Sequence, residues 1–128
     1  MREILFRGKQ MSNGKWIEGF YFKQPNPMTE DGFPTRHCIS DLPPFGAEVI
    51  PETVGQYTGL TDKNGKNGKK IFEGDIVNFS NILYYIVFAD GCFRICRNGK
   101  YSYTLHNLHS AFEVIGNIHD NPELLKGE

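Results

Sequence analysis

The chain has 128 residues and a net charge of −1, from 14 basic and 15 acidic residues. That length suits one domain able to bury roughly two-thirds of its unfolded surface, and that charge excludes any global attraction to nucleic acid, so such affinity must come from a local patch. Ten Phe and six Tyr exclude a disordered chain, and 14 Gly with 7 Pro supply the turns of a β protein.

In chain order, Arg2 to Gly8 (REILFRG) reads as a strand, and no leader peptide is expected before it. Asn13-Gly14 then signals a tight hairpin. In the strand that follows, Trp16, Glu18 and Phe20 share one face, and Ile17 and Tyr21 the other. The face with Trp16 and Phe20 is expected to need cover, from its own chain or from a second copy. From 24 to 47 the pattern is poor. Pro25, Pro27, Pro34, Pro43 and Pro44 break any long element, leaving an irregular excursion with one short strand near Arg36 to Ile39.

Strand pieces follow around Val49 and from Val54 to Thr58. Next comes the doubled Asn-Gly-Lys of Asn64 to Lys69, then a regular series. Strands are expected over Asp75–Phe79, Ile82–Phe88, Cys92–Cys96, Tyr101–Leu105 and Phe112–Ile118, with Asp90-Gly91 and Asn98-Gly99 as turns. Gly74 and Gly116 mark bends or bulges. Asn121 and Pro122 open a short C-terminal helix. The expected fold is mostly β: an N-terminal β-hairpin, an irregular excursion, and a C-terminal SH3-like five-stranded barrel over 75–118. Its core is expected from Ile76 or Val77, Ile86 or Val87, Ile95 and Val114. A single domain is expected, with 1–48 as its N-terminal part and 49–125 as its barrel part.

Three separated stretches, PETVGQYTGLTDKNGKNGKKIFEGDIV, VFADGCF and FEVIGNIHDNPELL, together with the opening MREILFRGK and NGKWIEGF, carry a resemblance. In that order they resemble the YopX family of phage and prophage proteins, over about 1–22 and 49–125. The resemblance implies a mostly β protein with an SH3-like barrel and a phage or prophage origin. It implies no catalytic residue. The usual loop resembles TDKNGKKIYEGD, so the second Asn-Gly-Lys is a three-residue insertion and Phe72 stands where Tyr is common. An insertion there implies an exposed loop tip.

The loop from 61 to 73 invites several chemical readings. A phosphate-binding P-loop fails, because five residues separate Gly59 from Gly65, Lys66 precedes Asn67, and no helix follows. A calcium loop would place Asp62, Asn64 and Glu73 at its first, third and twelfth positions, but Lys66 would fill a ligand position and four lysines would repel a cation. A decorated β-turn explains the loop best. What remains is a basic arm: Lys63, Lys66, Lys69 and Lys70 as contacts to phosphates or to a partner, adequate only for weak nucleic-acid binding.

Cys92 and Cys96 on a regular strand would stand about 13 Å apart at ~3.3 Å per residue. They are therefore expected to stay reduced and metal-free rather than to join His106 and His109 around zinc, and His109 is expected to be solvated. Cys38 follows His37, but neighbours on a strand point apart. No cofactor and no enzymatic activity are expected. Tyr84, Tyr101 and Tyr103 form a candidate aromatic binding face. With no apolar run near ~20 residues, no membrane span is expected. Three cysteines and no leader fit the cytoplasm of a bacterial host. The expected function is a non-catalytic interaction module for a phage or host protein, itself expected to form a homo-oligomer. The alternative is a weak nucleic-acid-associated protein using the 61–73 loop and the aromatics.

Overall fold

The computed structural model describes residues 3–24, 35–42, 45–64, 68–105 and 109–126. Eleven strands run through them: β1 (Phe6–Lys9), β2 (Trp16–Gln24), β3 (Arg36–Leu42), β4 (Phe45–Glu48), β5 (Gly55–Thr61), β6 (Lys70–Phe72), β7 (Asp75–Phe79), β8 (Ile82–Ala89), β9 (Cys92–Arg97), β10 (Lys100–Thr104) and β11 (Glu113–Asn117). They form two antiparallel sheets, ordered β4-β3-β2-β1-β5-β6 and β10-β9-β8-β7-β11. The chain divides into two compact units, Met1–Gln56 and Tyr57–Glu128. β5 crosses that division. Its first residues pair with β1, Gln56 opposite Phe6, and its later ones with β6, Tyr57 opposite Phe72.

In the first unit the β1–β2 hairpin turns over four residues, closed where the Gln10 N–H donates to the Lys15 carbonyl at 2.9 Å. A two-residue type I′ turn needs positive φ at both central residues, and here only Gly14 has it, at 71°. The face carrying Trp16 and Phe20 is not the buried one. Phe20 is 60% exposed, and Trp16 lies under the Arg7 guanidinium at 4.7 Å and near the Lys9 ammonium at 5.9 Å. Cation–π contacts thus shield Trp16 from within the hairpin. β3 is longer than its sequence suggested and pairs with β2 from Phe20↔Ser40 to Gln24↔Arg36. Its Cys38 and Ile39 are buried, as is Val49.

The second unit follows the sequence more closely. β7 to β10 form a meander joined by three two-residue turns. Both residues of each turn have positive φ or a glycine equivalent: Ser80 51° and Asn81 67°, Asp90 54° and Gly91 81°, Asn98 55° and Gly99 77°. That is the turn geometry whose twist suits the flanking strands. The last strand, β11, returns to pair with β7, and its register slips between Val114 and Gly116, a bulge at the expected glycine. Ile71, Val77, Ile86, Ile95, Leu105, Phe112 and Val114 form the core cluster, each fully buried apolar side chain contributing roughly 1.5–3 kcal/mol. Ile76 is also fully buried.

Two expectations are corrected. The five strands over 75–118 are present, but the sheet is open, with β10 and β11 at its two edges, so there is no closed barrel. β10 pairs only with β9 and slips register between Tyr101 and Thr104. Irregularities at both edges interrupt the rows of donors and acceptors that closure would join. The short C-terminal helix is instead a 3-10 turn, Pro122–Leu125, and Asn121 makes no side-chain cap bond to it. Its Oδ1 points back and accepts the Asn117 N–H at 3.2 Å.

Candidate functional site

The 61–73 loop is organised by Asp62, which is buried. Its Oδ1 accepts the N–H groups of Asn64 and Lys69, each at 3.2 Å. Its Oδ2 accepts the Val114 N–H at 3.1 Å. Three backbone donors aimed at one carboxylate take up most of its acceptor capacity and make it a brace for the loop. The backbone reinforces the clasp: Asp62 N–H donates to the Lys69 carbonyl at 3.0 Å and Lys63 N–H to the Phe112 carbonyl at 2.8 Å. Further on, Asp75 accepts the Phe72 N–H at 2.7 Å, closing the Phe72–Asp75 turn in which Gly74 takes φ 91°. Residues 61–64 and 68–73 are therefore a braced β connection.

The lysines expected to form a basic arm are spread along it. Lys63 is exposed and lies 3.9 Å from the Glu113 carboxylate. Lys70 is exposed, its ammonium 5.9 Å from the Tyr57 ring. Lys69 is exposed, its backbone held by Asp62. Lys66 lies outside the described residues. Deleting Asn67 to Lys69 leaves the same sequence as deleting Asn64 to Lys66, so a lysine before Lys70 can still serve Asp62. The deletion is expected to change stability by less than about 1 kcal/mol, since loop length enters only logarithmically. Urea unfolding of the deletion variant measures it, and a loss several times larger would mean that both copies of the repeat are needed to brace the loop.

The aromatic face is brought together in part. Tyr84 packs edge-on to Phe112, ring centroids 6.1 Å apart, and Phe79 does the same at 5.8 Å. With Tyr103, Ile95 and Ala111 they line a cleft of about 190 Å³. Tyr103 is 69% exposed and Phe79 42%, whereas Phe112 is buried beneath them. The Tyr101 side chain lies outside the described residues. Sequence reasoning missed Phe79 and Phe112. Strand alternation puts Phe79 on the face of Val77 without showing that this face meets Tyr84 and Tyr103, and Phe112 enters the cleft after a 3-10 turn, His109–Ala111, which no periodicity announces.

His109 is not simply solvated: its Nδ1 lies 2.9 Å from the Thr61 carbonyl, and since a carbonyl only accepts, Nδ1 carries the proton there. His106 lies outside the described residues. Cys92 and Cys96 sit on a regular β9 and are free thiols, as is Cys38. Among the described residues no three His, Cys, Asp or Glu side chains are grouped to hold a metal ion, and no helix is long and apolar enough to cross a membrane.

Among the described residues three acids are shifted, buried Cys38 and half-buried Tyr21 and Tyr85. Burial pushes the Cys38 thiol up, helped by Glu48 and opposed by Arg36. A hydrogen bond with Cys96, then burial, raises the Tyr85 phenol, and burial alone raises Tyr21, whose hydroxyl lies 2.6 Å from His37 Nδ1. A folded-state pKa above its unfolded value contributes stability that is complete at lower pH and is lost as pH rises through the folded value. The fold is therefore expected to weaken in alkali, above the ordinary thiol and phenol values of 9.0 and 10.0. Guanidinium midpoints across the alkaline range should fall, and Cys38 should be alkylated later than half-buried Cys92; a flat midpoint would refute the assignment.

No curated protein matches the chain significantly. Among solved structures it is similar to protein EF1440 from Enterococcus faecalis, at 25% identity and a TM-score of 0.55, over 98% of this chain and 100% of that one. The fold is thus shared along nearly the whole length of both. The family model described as YopX protein matches residues 5–126. By that match, which spans both units, the chain belongs to the YopX family.

Proposed function

We propose that the chain is a small phage- or prophage-encoded interaction module that acts by binding a protein partner, without catalysis, in the bacterial cytoplasm. The observation that carries this reading is the aromatic cleft between β7, β8, β9, β10 and the His109–Ala111 turn. It leaves Tyr103 69% and Phe79 42% exposed, and concave apolar surface of this kind is where polypeptides and other ligands dock. Family membership supports the phage association. The test is affinity capture from an induced host lysate, with and without nuclease, using wild type and Tyr103→Ala side by side. A nuclease-resistant protein held by wild type and lost by the variant supports the reading.

The nucleic-acid alternative draws on exposed Lys63, Lys69 and Lys70. It ranks second because Lys63 already faces Glu113 and Lys70 already faces Tyr57. A nuclease-sensitive capture would reverse the ranking. Self-association belongs to the same proposal, carried by Phe20, which stands 60% exposed on the outer face of the hairpin and which a second copy would cover by symmetric packing. Sedimentation at low micromolar concentration tests it, and a clean 14.6 kDa species would remove it.

A further inference from the structure

Resting on the cleft as a binding site, we infer that its occupant is a proline-rich segment of a protein partner, docked in the polyproline II conformation. Among the described residues the lining is Phe79, Tyr84, Ile95, Tyr103, Ala111 and Phe112, with no charged side chain. A charged group entering it would lose water and gain no counter-ion. The occupant is therefore uncharged where it touches.

The ring arrangement narrows the choice further. Phe112 forms the floor. Phe79 stands against it at 74° and Tyr84 at 64°. These rings are in contact with one another, so they make ridges and shallow grooves rather than walls around one centre. A cage for a quaternary ammonium needs ring faces turned towards a common point, with the cation close to several centroids. Ridges and grooves suit a flat, uncharged ring, and the polarised C–H groups of proline meet the negative faces of aromatic rings.

The backbone argument points the same way. A polyproline II segment has no internal hydrogen bonds, so its carbonyls need outside donors. The Tyr103 phenol, on a side chain 69% exposed, carries an O–H able to donate to such a carbonyl. Addition of a strand to the β10 edge is the rival mode. The register slip between Tyr101 and Thr104 interrupts that edge, and a bulged edge is a poor template for a new strand. A preformed polyproline helix also loses little conformational freedom on docking, which matters for a cleft of about 190 Å³ that can contact only a few residues.

The experiment uses the full chain and two labelled probes, decaproline and a degenerate decapeptide pool built on Pro-x-x-Pro. Fluorescence anisotropy measures binding, and amide chemical shifts locate it. Saturable binding is expected, with shifts centred on Phe79, Tyr84, Tyr103 and Phe112. Tyr103→Ala should weaken it at least about tenfold, and Tyr103→Phe less, because the ring remains and only the O–H is lost. Tyr103 is exposed, so both variants should melt as wild type does. No binding of either probe at ~1 mM, or binding that Tyr103→Ala leaves intact, overturns the inference. A trimethyl-lysine peptide, an amphipathic helical peptide and a single-stranded oligonucleotide run in parallel. If lysate capture depends on Tyr103 while one of these binds and both proline probes fail, the proline inference is overturned and the binding reading stands.

Discussion

Replacing Asp62 by Ala should cost about 3 kcal/mol of stability, because it removes three charge-assisted hydrogen bonds and leaves the buried Val114 N–H without an acceptor. The carboxylate is only 2% exposed and serves three backbone donors: Asn64, Lys69 and Val114. Two of those donors lie in the loop, where water can replace the lost acceptor. The third, on Val114, belongs to β11 beside the core and has no such exit. Asp62→Asn makes the argument sharper. An amide keeps the shape but has one acceptor oxygen, so either the Val114 bond or the loop pair is lost and an NH2 faces an N–H donor. The Asn variant should therefore recover little of the loss. Urea unfolding of both variants decides it; a cost below ~1 kcal/mol for Ala would show that the clasp is not needed.

Gly19→Ala is expected to damage the first unit comparably, by about 3 kcal/mol or more, through overpacking that no rotamer relieves. A Cβ at Gly19 would sit 2.6 Å from the Ser40 carbonyl carbon and 2.9 Å from the Asp41 nitrogen, with the Ser40 oxygen nearer still. These are backbone atoms of the partner strand, so β2 and β3 would have to separate where Phe20 pairs with Ser40. Gly8→Ala is the graded control. Its Cβ would meet the Ile39 Cδ1 and Val49 side-chain atoms at 3.1–3.2 Å, which can yield in part, so about 1 kcal/mol is expected. Equal losses for the two variants would defeat the distinction between backbone and side-chain obstruction.

What the sequence made legible was local. β7 follows from alternation, β8 from a continuous apolar run, and β9 from its place between Asp90-Gly91 and Asn98-Gly99, pairs that adopt positive φ at little cost. The core at Ile95 and Val114 was legible, whereas the choice between Ile76 and Val77 and between Ile86 and Val87 stayed open until packing placed Val77 and Ile86 in the cluster. Family membership was legible in three spaced motifs. What stayed hidden depends on distant partners. The bracing role of Asp62 is one case, since it needs Val114, 52 residues on, to point its N–H at the carboxylate. The sheet ends at β10 and β11 rather than closing, and both of these strands slip register against their neighbours, which no run of residues announces. β3 was underread because Arg36–Leu42 mixes charged and polar residues between prolines, although Cys38, Ile39 and Ser40 are all buried. The cleft needed Phe112 beside Tyr84, a contact between residues far apart in the chain.

The three two-residue turns between β7 and β10 also set an order of assembly. Each joins strands adjacent in the chain, so each ladder closes over a loop of minimal entropy, and contacts of such short range form early. β11 must instead find β7 across the whole meander, and its pairing is a late event. Folding rates should therefore respond to substitutions in β8 and β9, such as Ile95→Val, while Val114→Ala should chiefly hasten unfolding. Stopped-flow chevrons of those two variants measure the order, and a Val114 effect confined to the folding limb would reverse it.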